Sequence, residues 1–374
     1  MKWALRSIGI LILLLALAAS VIWALYGRGQ PYAGVATPTV LPQSALQPLV
    51  SLDYPLGNVA VSPDGRVFFN THPFAKAQRF GFSTVYELID GKPAAYPNAA
   101  AQSSYQGVFG MTVDRQQRLW VIEPAGLDFP HTRLSAFDLK SNTRAFSYEF
   151  PKGQAGFAQD LRVSPDGKTV VIADTGLFRF TSPGIIVFDI ATKTHRTVLA
   201  SDPSTQAQDL VTRTPFGPHR LAYGLVNFVV GVDGIEISAD GQWLVYGAMN
   251  HDRLYRIPMA MLLDASLDQA ALTKAVVDLG PKPLSDGLTI DAEGRVILTD
   301  IENGGLMRRD ANGSLSTLVS SPKVIWADGV VVAPDGAVLF TDSAIPAYID
   351  QLALPPSAKR LAAGAPYYLY RVRP

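Results

Sequence analysis

The chain has 374 residues, 48% of them apolar and only 17% charged, which supplies a large core and argues against disorder. Its 32 basic residues balance its 32 acidic ones, so nothing in the charge calls for nucleic acid or an anionic surface as partner. There is no cysteine, which excludes disulfides, thiolate nucleophiles, zinc–cysteine sites and a lipidated-cysteine anchor.

The first predicted element is an apolar helix. Ile8 to Tyr26 carries no charge, with Lys2 and Arg6 before it and Arg28 after it. Such a helix rises roughly 28 Å, about the thickness of bilayer hydrocarbon. The basic N-terminal flank predicts that this end stays cytoplasmic and the remainder is exported. Ala16-Leu17-Ala18-Ala19 also offers a cleavage pattern, but the apolar run continues through Val21-Ile22-Trp23-Ala24-Leu25, longer than a usual signal core. Residues 1–28 are therefore expected to be a signal anchor or signal peptide, and the location extracytoplasmic, periplasmic or secreted. Residues 29–45, with Pro31, Pro38 and Pro42, read as a partly extended linker lifting the domain off the membrane.

From residue 46 onward one phrase recurs: an alternating apolar run, a tight turn, then a second β-rich run. It reads Val59-Ala60-Val61-Ser62-Pro63-Asp64-Gly65 in the first copy and Leu161-Arg162-Val163-Ser164-Pro165-Asp166-Gly167 in the third. The second copy turns at Gln116-Gln117, and the fourth, fifth and sixth at Asp240-Gly241, Glu293-Gly294 and Asp335-Gly336. Asp-Gly between alternating runs is a hairpin signal, because glycine supplies the positive φ of the turn. Six units of about four strands predict an all-β fold, a six-bladed β-propeller spanning 46–374. The last unit lacks a fourth strand after Tyr367–Val372, and Leu46–Leu52 is expected to supply it and close the ring. Helix is expected to be sparse, with Met259–Ala275 the best short candidate. The long insert Ser201–Val230 enters the fourth unit as a lid, a rim or a spacer.

In such a fold the residues preceding each first strand gather at one mouth of the central channel. Here they are Asn58, Asp160, Asp233, Asp286 and Asp328, the candidate ligand-binding set. Residues after each second strand should reach the same mouth: His72, Glu123, Asp174, Asn250, Asp300, Glu302 and Asp342. Clustered carboxylates suit a hard cation such as calcium, and they raise one another's pKa, fitting one of them for general-base work. Taken singly, each Asp is better explained as a cap on loop backbone. The five histidines show no metal-ligand spacing, and no nucleophile elbow, zinc-protease helix, phosphate loop or dinucleotide fingerprint is present. Asn312-Gly313-Ser314 fits a glycosylation acceptor but reads better as a hairpin turn. Trp120, Trp243 and Trp326 are read as core.

Gly231-Val232-Asp233-Gly234-Ile235-Glu236-Ile237-Ser238-Ala239-Asp240-Gly241, the following Asp252-Arg253-Leu254-Tyr255-Arg256-Ile257-Pro258, and Leu279-Gly280-Pro281-Lys282-Pro283-Leu284-Ser285-Asp286-Gly287 carry a resemblance. With Asp300-Ile301-Glu302-Asn303, Ala173-Asp174-Thr175-Gly176 and residues 201–206, they resemble bacterial members of the major royal jelly protein/Yellow family. The resemblance covers roughly Leu46 to Pro374. It implies a six-bladed propeller, secretion and a channel that binds small ligands, but no single reaction, since the family includes nutritive, amine-binding and proposed pigment-pathway proteins. A more distant likeness is to the regucalcin/gluconolactonase lactonases. Their metal is held by a Glu before the first unit, an Asn before the fourth and an Asp before the fifth. Asp286 matches that Asp, Asp233 stands where the Asn would be, and Asp160 falls at a substrate-contacting acid. Gly57 occupies the Glu position, with Asn58 its polar neighbour. The expectation is an exported propeller that binds a small molecule at the mouth. A metal-dependent lactonase with Asp233 and Asp286 as ligands to calcium or another divalent cation is the first alternative, and a protein-interaction platform the second. The membrane enters as a partner through the N-terminal helix.

Overall fold

The structure, a computed structural model, describes residues 2–35, 37–125, 130–349 and 356–374. Six four-stranded antiparallel sheets follow one another along the chain, each running from the channel outward. Their innermost strands are Leu56–Val61, Met111–Val113, Ala158–Val163, Val232–Ile237, Leu288–Ile290 and Ala327–Val332, and we number the blades 1 to 6 in that order. The sixth blade is completed as expected: Gln47–Leu52 pairs antiparallel with Tyr367–Val372, from Gln47 opposite Arg371 to Leu52 opposite Tyr367. The first and last parts of the propeller thus share one sheet, which removes two free edges and ties unfolding of blade 6 to that of blade 1.

The hairpin turns use one local chemistry. Gly65 has φ +89°, which an L side chain would resist, and its N–H bonds Ser62 O at 2.8 Å. The serine hydroxyl donates to the turn aspartate at 2.6 Å in blade 3 and 2.5 Å in blade 4. Second strands of the blades do not alternate in burial. Val170, Val171, Ile172 and Ala173 are all buried, because neighbouring blades cover both faces of each sheet. The Asn312-Gly313 segment forms a hairpin turn between Gly305–Arg309 and Leu315–Ser320. The predicted helical stretch is two short helices, Met259–Leu263 and Gln269–Ala275, the second capped by Asp268.

The segment expected to be a partly extended linker lies against the propeller. Gln30–Pro31 pairs parallel with Leu210–Val211, Tyr32 is buried with its hydroxyl on Lys282 O at 2.7 Å, and Val40 N donates to Thr317 O on the edge of blade 5 at 2.8 Å. Proline-rich chain lacks competing helical structure, so its free carbonyls and apolar rings pack wherever an edge is open. The helix Lys2–Ile22 precedes it and stands exposed.

Candidate functional site

Four of the six innermost strands, those of blades 1, 3, 4 and 6, carry an irregularity at the channel end. Register shifts fall between Leu56 and Val59, Ala158 and Leu161, Val232 and Ile235, and Ala327 and Val330. A bulge turns a side chain out of the ladder, which is how these positions come to face the opening. Asn58, Asp160, Asp233, Asp286 and Asp328 all line one small cavity, together with His72, Phe109 and Gln159. The remaining room is about 20 Å³, enough for little more than one water molecule. Blade 2 contributes Phe109 to the lining and no acid.

The second predicted set behaves differently. Only His72 faces the cavity. Glu123 accepts from Gln106 N, Asp174 from Phe157 N, Asn250 from Val230 N and Asp342 from Trp326 N, at 2.5, 3.1, 2.9 and 2.9 Å. Asp300 accepts from Asn303 N at 3.0 Å and Glu302 from Arg213 N at 2.7 Å. Glu123, Asp174, Asn250 and Asp342 thus cap the loops entering blades 2, 3, 4 and 6, Asp300 caps its own turn and Glu302 holds the long insert, so capping accounts for these six.

Burial governs the charges of the first set. Asp233 and Asp328 are pushed well above the ordinary carboxylate range by desolvation, with Asp286 and other acids adding to it. Asp286 is raised to about 6 by burial, held back by the Trp326 indole N–H, which donates to its Oδ2 at 2.6 Å. The Asp233 and Asp286 carboxyls lie within hydrogen-bond reach, and that bond needs a proton. Burial and the neighbouring Asp286 favour the protonated form of Asp233. Oδ2 of both Asp233 and Asp328 lacks a donor among neighbouring groups. His72 is neutral, its pKa lowered to about 3 by burial. Its Nδ1 accepts from Phe74 N at 3.2 Å, which places the remaining proton on Nε2, facing Asp328 Oδ2 at 3.8 Å.

Asp160 is set apart. Arg162 donates to it at 2.8 Å and to Glu236 at 2.9 Å, and reaches Leu288 O at 3.4 Å. Burial alone would lower the Arg162 pKa, but Asp160 and Glu236 more than offset it. This guanidinium links blade 3 to blades 4 and 5.

Above the acids lies a second compartment that shares His72, Phe109, Gln159 and Asp286 with the first. Phe74, Phe157, Phe178 and Phe228 add aromatic walls, again around about 20 Å³ of space. Phe228 belongs to the long insert, which forms two hairpins, Arg213–Thr214 with Gly217–Pro218 and Arg220–Leu221 with Val226–Asn227. Its His219 ring sits 4.4 Å from Phe228 and 5.5 Å from Trp326, centroid to centroid. The insert is therefore a lid over the mouth rather than a spacer. Trp326, buried as expected, also takes part in the site through its indole N–H, which sequence pattern had no means to show.

A set of carboxylates invites a metal, but the donors do not fit one. Among the described residues no three His, Asp or Glu side chains stand where they could share an ion. Asp233 and Asp286 are neighbours, but Gly57 puts no carboxylate beside them and Asp160 is already paired with Arg162.

The profile of the major royal jelly protein family matches residues 106–325. The chain belongs to the major royal jelly protein family. Among solved structures it is similar to a gluconolactonase from Xanthomonas campestris, with 14% identity and a TM-score of 0.54 over 93% of this chain and 98% of that one. It is similar also to regucalcin, a calcium-binding protein from Agrobacterium tumefaciens, at 15% identity and a TM-score of 0.56 over 90% and 95%. At such identities the likeness shows the shared propeller fold alone. No curated protein matches by sequence.

Proposed function

We propose that this royal jelly family propeller works outside the cytoplasm and binds a small organic cation, an arylalkylamine, beneath its lid. The observation that carries the reading is the pair of buried oxygens without donors, Asp233 Oδ2 and Asp328 Oδ2, beside a compartment walled by phenylalanine rings. An ammonium brings three donors and a positive charge to those oxygens and to Asp286, while rings next door favour an aromatic body and interact with the cation through their faces. Both compartments are small with the lid in place, so entry requires the insert to move. Export rests on the N-terminal helix, Leu5–Gly27, which is long and apolar enough to span a bilayer.

The test is calorimetric titration of 2-phenylethylamine against 2-phenylethanol, repeated in buffers of different ionisation heat. The amine should bind, release protons and lose affinity in Asp286→Asn, while the alcohol binds weakly. Equal affinity for both would overturn the reading. A calcium-dependent rise in melting midpoint that disappears in Asp286→Ala would replace it with the metal-dependent lactonase alternative.

A further inference from the structure

The N-terminal helix does not end in open solvent. Its last turn is fastened to the lid: Arg220 donates to Gly27 O at 2.6 Å and to Gly29 O at 3.3 Å, and Asn227 reaches Arg28 O at 3.5 Å. The Tyr26 ring meets Phe180 edge to face at 5.5 Å, and Gly27 lies so close to Leu225 O that a Cβ there would come within 2.6 Å of it. A helix of span length therefore leaves the propeller at its lid, on the face where the binding compartments open.

That face also carries the most exposed large apolar side chains outside the helix. Among the described residues beyond Gly27, only Phe180, Phe216 and Tyr223 are large apolar or aromatic side chains more than half exposed, at 57%, 62% and 79%. Phe216 and Tyr223 stand at the turns of the two lid hairpins, and Phe180 lies in the loop that touches the helix end. Water gives no reason to hold three aromatic rings out on loops. The boundary between headgroups and acyl chains does, because amphipathic rings partition there.

We propose that the lid face of the propeller rests on the bilayer, with Phe180, Tyr223 and Phe216 set into the interfacial layer and the mouth turned toward lipid. The occupant is the lipid surface and not a second protein, because the same lid segment that presents the rings also holds the end of the apolar helix. From Phe180 the rings continue inward, 6.1 Å to Phe178 and 4.9 Å from there to Phe228 in the compartment wall. A cleft of about 280 Å³, lined by Arg179, Phe180 and Ser182 among others, opens beside this path. A ligand dissolved in the membrane would meet the lid from below without crossing water. The inference rests on the helix being retained as an anchor, not on the identity of the ligand.

The absence of cysteine makes the test direct. Single variants Phe180→Cys, Phe216→Cys, Tyr223→Cys, Leu13→Cys and Ala239→Cys of the full chain carry one environment-sensitive fluorophore each, in vesicles of phosphatidylcholine and phosphatidylglycerol. Leu13 reports on the helix, and Ala239 on the hairpin turns at the opposite face. Lipid-borne nitroxide should quench positions 13, 180 and 223 more strongly than aqueous iodide does, with 216 intermediate or alike, and the order should reverse at 239. Quenching at 180 and 223 that matches 239 while 13 is lipid-quenched overturns the docked face and leaves the anchor standing. Failure of 13 to sense lipid overturns the anchor and the proposal together.

Discussion

The indole of Trp326 and the carboxylate of Asp286 meet at 2.6 Å, joining the loop that enters blade 6 to the acid that precedes the innermost strand of blade 5. The same tryptophan is held by its own backbone, through Trp326 N to Asp342 Oδ1 at 2.9 Å, so the donor arrives preset. Replacing it by phenylalanine keeps the ring and removes the proton. Trp326→Phe should raise the Asp286 pKa above its value of about 6 and cost about 1–3 kcal/mol of stability, the usual loss for a buried acceptor left without its donor. Because an ammonium prefers ionised Asp286, affinity for 2-phenylethylamine should climb with pH through that value, and the midpoint of the climb should move to higher pH in the variant. An unchanged midpoint would show that Asp286 does not govern the affinity.

Asp233 offers a stability test with a definite sign. Its folded pKa is raised above the unfolded value by burial and by Asp286, so folding gains from its proton at low pH and loses that gain as pH rises through the folded pKa. Asp233→Asn keeps a donor toward Asp286 at every pH. The variant should therefore be more stable than the parent at pH 8, by on the order of 1–3 kcal/mol, and the difference should shrink toward pH 5. Buried His72, His219 and His251, lowered to about 3, 4 and 4, act oppositely, losing stability as pH falls below the unfolded histidine value. They are common to both proteins, so the difference in midpoint between variant and parent isolates Asp233. A difference independent of pH would mean that Asp233 is not the proton holder.

How far the sequence could be read follows from what repeats and what does not. The blade count, the hairpins and the strand that closes the ring follow from turn chemistry and period two, both local and both repeated six times. The first-strand acids were legible for the same reason, since a fixed offset from a repeated turn becomes a fixed place in the ring. The second-strand acids had the same regularity, and Asp174 and Asp342 nevertheless turned to backbone N–H groups; pattern cannot tell a cap from a cavity-facing carboxylate. The parts supplied by loops outside the repeat, Phe228 and His219 on the lid and Trp326 before blade 6, have no period to betray them. Arg162 could be seen as a charged residue in an inward strand, but its partners Asp160 and Glu236 belong to two blades and meet only when those blades pack side by side. The docking of Gln30–Pro31 was equally hidden, because the Leu210–Val211 strand that receives it is built about 180 residues later.

Arg162 gives the third prediction. It is buried between Asp160 and Glu236, and Thr289 adds a longer contact to Glu236 at 3.4 Å. Arg162→Ala would leave two carboxyls facing each other without their cation, a change that commonly costs about 3–5 kcal/mol. Arg162→Met combined with Asp160→Asn and Glu236→Gln removes the charges as a group and should recover most of that loss. Denaturant unfolding of the single and triple variants checks both. A single variant as stable as the parent would mean that water replaces the guanidinium between the two acids.

The seam between the last blade and the first supplies the final test, which couples fold to site. Gly329 follows Asp328, and a Cβ built on it would lie 2.6 Å from Asn58 Cα and 2.9 Å from Val59 N. Both contacts are backbone in the neighbouring blade, so no rotamer change can relieve them, and blade 6 would have to move away from blade 1. Gly329→Ala should therefore cost about 1–3 kcal/mol, the range for overpacking a filled interior. The displacement would separate Asn58 from Asp328, two of the residues that line the cavity, so amine affinity should fall beyond what the stability loss explains. Gly156→Ala is the control, since the nearest atom to its Cβ is Thr181 Oγ1 at 4.0 Å. Denaturant midpoints and calorimetric affinity measured on both variants decide the matter. Loss of stability with affinity intact would place the ligand away from the seam, toward Asp233 and Asp286, whereas an alanine tolerated in both respects would show that the six innermost strands are less tightly drawn together than this geometry requires.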